Sequence, residues 1–128
     1  MKGLTQAGIK MKRNIIVILM LLLMSVNVNA LTWQDQKTIA REIGRELDYD
    51  GSFRFAYYQD WRDYYAFYNR DNGNDGVITF YKPSLKLNKE EFVCVVYHEL
   101  GHSDEYIHEH ARGVLSEDYA NDFMKNHC

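Results

Sequence analysis

Residues 88–102 read NKEEFVCVVYHELGH, and this stretch leaves the chain little choice of architecture. Phe92, Val96 and Leu100 recur every four residues, which on an α-helix makes one apolar stripe. Asn88 is a good N-cap, and Glu90 and Glu91 follow where a helix presents its positive end. A short chain with one such helix must build its core around it. The same helix carries His98, Glu99 and His102 in the pattern H-E-x-x-H, so the two histidines lie next to that core.

The chain has 128 residues, enough for one small domain. Residues 1–30 read differently from the rest. Lys10, Lys12 and Arg13 precede an apolar run from Ile15 to Met24, then Ser25 leads to Val28-Asn29-Ala30. A run this short does not span a bilayer, which takes roughly 20 apolar residues. The pattern predicts a secretory signal peptide cut after Ala30. An uncleaved N-terminal anchor is the alternative. Met11 opens a complete leader by itself, so translation could start there.

Four of the 15 Lys and Arg residues (Lys2, Lys10, Lys12, Arg13) and none of the 18 acids lie in 1–30. The remaining domain, 31–128, carries 11 basic and 18 acidic residues, a net charge near −7. With no basic run left, nucleic acid and anionic membrane surfaces are poor partners, and no stable membrane insertion is expected after cleavage. The expectation is an exported protein, periplasmic or secreted. Cys94 and Cys128 are the two cysteines. Export permits a disulfide between them, although Cys94 also fits an apolar helix as core.

Elsewhere the pattern predicts an α+β domain of order α-β-β-β-α-α. A first helix starts at Thr32, with Ile39, Ile43 and Leu47 as its stripe and Gly51 just past its end. Aromatic residues at period two then mark three strands around Phe53–Tyr57, Tyr64–Tyr68 and Val77–Tyr81, with turn signals at Asp60–Arg62 and Asp71–Gly76. The expected sheet is a three-stranded, mainly antiparallel meander packed on the H-E-x-x-H helix. A last helix, capped by Ser116, covers Glu117 to Lys125. The Asp71–Gly76 loop starts like a calcium loop, but Gly73 and Lys82 stand where ligands are needed, so it reads as a hairpin turn.

His98 and His102, one helical turn apart, can present two imidazole nitrogens to one ion. Glu99, beside them, can take the proton of a water acidified by zinc as that water attacks a peptide carbonyl. A catalytic zinc usually has three protein ligands. Two residues compete for the third place: Glu117 in SEDYANDF, and His108.

HELGH followed by EDYAN resembles the gluzincin metallopeptidases, and the element order is similar to the single-domain minigluzincins and to the core of ImmA/IrrE-type peptidases. The resemblance implies Glu117 as the third zinc ligand and Asn121 as a partner of His98 or His102 from behind. The rival pattern, that of the metzincins, places His108 correctly but wants glycine where Glu105 stands. Glu105 is a good helix former and carries the helix onward, taking His108 away from the metal.

These residues imply a zinc-dependent endopeptidase acting on peptide or protein substrates, with Glu99 as general base. The alternative is a zinc-binding module without catalysis, acting in interaction or regulation. Tyr106, His108, His110 and Tyr119 are candidates to stabilise an oxyanion. The resemblance also raises a latent form in which His127 or Cys128 occupies the open metal position.

Overall fold

Along residues 31–128 a helix, three strands and two further helices follow one another in the computed structural model of the chain. The structure describes residues 7–10, 31–59, 64–70, 76–109 and 115–128. The elements are β1 (Ala7–Lys10), α1 (Trp33–Glu46), β2 (Ser52–Ala56), β3 (Tyr64–Asn69), β4 (Val77–Tyr81), a 3-10 turn (Lys82–Lys86), α2 (Lys89–His108) and α3 (Glu117–His127). This is the expected single α+β domain. The apolar run from Ile15 to Met24, the turn signals at 60–62, the first five positions of the Asp71–Gly76 loop, and His110 lie outside the described residues.

Each helix begins where its cap predicts. Thr32 Oγ1 accepts from Asp35 N at 3.1 Å, and Asn88 and Glu91 form a reciprocal capping box at the start of α2. The end of α1 comes earlier than Gly51. Asp48 adopts φ 54°, Tyr49 N donates to Gly44 O and Asp48 N to Arg45 O. That pair of bonds is a Schellman motif, with aspartate at the left-handed position. A short polar side chain tolerates that conformation better than most.

The sheet departs from the expected meander. Within residues 31–128, β4 pairs antiparallel with β3 but parallel with β2, so the sheet is mixed rather than mainly antiparallel. Its order is β1-β3-β4-β2, β1 joining antiparallel on the outside of β3. A meander would put β3 in the middle of the three; here β4 is central. Ile78 and Phe80 are fully buried, and Thr79 and Tyr81 nearly so. VITFY is therefore the nearly continuous apolar run of an interior strand covered on both faces. Alternation marks strands without saying which neighbour each one takes.

The core forms where one face of the sheet meets α1 and α2. Ala40 and Ile43 of α1, Ala66 and Tyr68 of β3, and the stripe Phe92, Val96 and Leu100 of α2 belong to one buried cluster. Phe80 and Phe92 meet with ring centroids 5.1 Å apart. Next to it, α3 lies against α2 at Gly101, where a Cβ would stand 2.9 Å from Ala120 Cα and 2.9 Å from Phe123 Cβ. Only glycine allows that approach. At the other end of the same helix pair, Cys94 and Cys128 are joined in a disulfide with Cα atoms 5.4 Å apart. Among the described residues no helix is long and apolar enough to cross a membrane.

Candidate metal centre

Because α2 runs unbroken through His108, His98 and His102 lie one above the other, and both are fully buried together with Glu99. Beside them the first turn of α3 delivers Glu117. Its Oε1 is 3.0 Å from His98 Nε2, and its Oε2 is 3.4 Å from His102 Nε2 without hydrogen-bond alignment. Ligand atoms of His98, His102 and Glu117 all fall within 4.8 Å of one another. This group could hold a metal ion.

The electrostatics fit that description. Burial holds the His102 pKa below the ordinary histidine value, an effect that Glu117 only partly offsets. Burial by itself would raise the Glu117 carboxyl, but the two imidazoles outweigh it and hold the pKa at about 2. The group is thus a carboxylate facing a neutral buried imidazole at His102. Both ring nitrogens of His102 and Nδ1 of His98 have no hydrogen-bond partner among the described residues. Buried polar atoms are rarely left so, and a cation accepting imidazole and carboxylate lone pairs would satisfy part of this set. Two imidazoles and one carboxylate are also a donor set of catalytic zinc sites.

Other candidates are placed differently. His108 stays on α2, its side chain 69 % exposed and 3.7 Å from Asp104, because Glu105 continues the helix. Asn121 follows Glu117 by one turn, but its buried Oδ1 makes no hydrogen bond to either histidine. Tyr119 donates its hydroxyl to the Asp104 carboxylate; burial and then Asp104 push its pKa up. Tyr106 lies under the Arg70 guanidinium, 3.9 Å from the ring centroid. The terminal pair does not reach the histidines: Cys128 is bonded to Cys94, and His127 Nδ1 meets Phe123 O at 2.8 Å while its ring stacks on Phe123 and Tyr97. A C-terminal plug on the metal position is therefore corrected, since both of its groups are committed elsewhere.

Two neighbours of the centre carry no signal in the sequence. Tyr68 of β3 stacks on His102. Tyr81 of β4 has its hydroxyl pKa raised by burial; Arg54 and a hydrogen bond with Thr79 oppose the rise, and the charge of Glu99 adds to it in smaller measure. A separate cleft of about 260 Å³, lined by residues including Leu47, Asp48, Leu100, Ile107 and Phe123, includes none of the three candidate ligands. No protein family model, curated protein or solved structure matches the chain.

Proposed function

We propose that this chain is an exported zinc-dependent endopeptidase. The observation that carries the reading is the convergence of His98, His102 and Glu117 within 4.8 Å, with Glu99 fixed on the same helix between the two histidines. When bound, zinc would supply a Lewis acid that polarises the scissile carbonyl and acidifies water. The two imidazoles and the Glu117 carboxylate would hold it. Glu99 accepts a proton from the attacking water and returns it to the leaving amine, a role suited to a carboxylate shielded from solvent. An extended peptide is the substrate. The Cys94–Cys128 disulfide supports export to an oxidising compartment.

The test uses the oxidised full chain, loaded with zinc and supplied with an unstructured protein substrate. Cleavage by the wild type and its loss in Glu99→Gln, with zinc content unchanged, is the expected result. Cleavage at the wild-type rate by Glu99→Gln ends this proposal.

One observation favours a second reading, a metal-binding module without catalysis. His98, Glu99 and His102 are all fully buried, and only Glu117 of the four reaches solvent, with its side chain 32 % exposed. The fourth coordination position separates the two readings: water there supports the peptidase, a protein side chain the non-catalytic module. X-ray absorption on the zinc form distinguishes them.

A further inference from the structure

The two long helices of the centre are capped in different ways. At the start of α2 the capping box is local: Asn88 Oδ1 accepts from Glu91 N at 2.9 Å, and Glu91 Oε1 accepts from Asn88 N at 2.9 Å. At the start of α3 only half of such a box is local. Ser116 Oγ accepts from Tyr119 N at 3.1 Å, but position three of the helix is a tyrosine, which cannot return the bond. The acid comes from the other helix instead. Glu105 Oε1 accepts from Ser116 N at 2.8 Å, and the displaced tyrosine reaches back, its hydroxyl donating to Asp104.

The charges explain why the acids lie there. Asp104 and Glu105 are in the last turns of α2, where the helix presents its negative end and an acid is unfavourable. Both are turned to the first turn of α3, which presents its positive end. An arrangement that costs stability in one helix is offset across the gap to the other. Ser116 and Tyr119 are thereby tied to α2, and the residue between them that completes the metal group is Glu117.

We infer that Glu105, assisted by the Asp104–Tyr119 pair, is a positioning residue for the third metal ligand: a capping box split between two helices fixes the first turn of α3 so that Glu117 faces His98 and His102. This rests on the metal-binding reading of the centre and not on peptidase activity. Glu105 is not one of the candidate ligands; it acts through the Ser116 backbone.

Cobalt(II) is the probe, titrated into the metal-free, oxidised full chain, with affinity and the visible d–d spectrum as readouts. The wild type binds one ion per chain with a spectrum of three protein ligands. Glu105→Ala weakens binding by about 10–100-fold, the range for partners that orient ligands, and its spectrum shows loss of a ligand while the far-ultraviolet circular dichroism of the metal-free form is unchanged. Glu105→Gln, whose amide oxygen can accept the same bond from Ser116, restores both readouts. A Glu105→Ala variant with wild-type affinity and spectrum overturns the inference, as does a Gln variant as defective as Ala. Should Glu105→Ala not fold, Tyr119→Phe carries the test: weakened binding with an altered spectrum supports the split box, and unchanged readouts overturn it. Absence of cobalt binding by the wild type overturns the metal reading itself, and this inference with it.

Discussion

The rings of Tyr68 and His102 lie near parallel, with centroids 6.4 Å apart and planes 25° from parallel. Through that contact the sheet touches the candidate metal centre, because Tyr68 is a fully buried member of the core cluster and His102 is a candidate ligand. Tyr68→Ala removes the support and leaves a cavity. By analogy with large aromatic truncations it should lower unfolding free energy by about 3–5 kcal/mol, read from urea melts of the metal-free chain.

Gly101→Ala sets two effects against each other. Alanine gains about 1 kcal/mol in helix propensity over glycine. Its Cβ, however, would stand 2.9 Å from the Ala120 Cα, a backbone atom that cannot rotate away, and overpacking of this kind costs typically about 1–3 kcal/mol. Separating α2 from α3 also withdraws Glu117 from the histidines. The expected outcome is net destabilisation with weaker metal binding, measured by urea unfolding and by titration with zinc. A variant more stable than the wild type, with unchanged affinity, contradicts the close packing of the two helices.

Acid should destabilise the metal-free protein in two windows. His102 has a folded pKa below its unfolded value of about 6.5. As pH falls below that value the unfolded chain takes up the proton first, so stability declines. Glu117, held at about 2 against an ordinary 4.5, contributes stability that is complete above about pH 4.5 and is lost as pH falls toward 2. Urea midpoints in the presence of a chelator, from pH 7.5 down to pH 3, should fall in both ranges. Replacing His102 by Gln should flatten the upper window, and Glu117→Gln the lower.

Reduction of the disulfide releases a loop between residues 34 apart in sequence. In the chain-entropy account, closing a loop of that length stabilises by about 4 kcal/mol, with observed values of typically about 2–4. The Cys94→Ser, Cys128→Ser double variant should unfold at correspondingly lower urea. It should also bind zinc more weakly, because the far end of α3 is then free to move away from α2.

What could be read from the sequence follows the range of the interactions involved. The α2 stripe, the caps at Thr32, Asn88 and Ser116, and the persistence of helix through Glu105 depend on residues within four positions, and all are as the local pattern predicts. The close approach of α3 at Gly101 depends on Ala120, 19 positions away, and lies beyond that range. Strand order was not readable, since the pairing of β2 with β4 joins residues 25 apart, Ser52 with Val77. Tyr68 behind His102, and Glu105 holding Ser116, escape local reading for the same reason. The end of α1 is a different case: Asp48 does at the left-handed position what glycine usually does, and a rule that looks for glycine selects Gly51 instead.

The disulfide has a consequence for the lifetime of the protein. The ring closed by Cys94 and Cys128 contains His98, Glu99, His102 and Glu117. One hydrolysed peptide bond anywhere between His102 and Glu117 would therefore leave two fragments still joined covalently, with every candidate ligand retained. A nicked molecule would keep its full set of candidate metal donors.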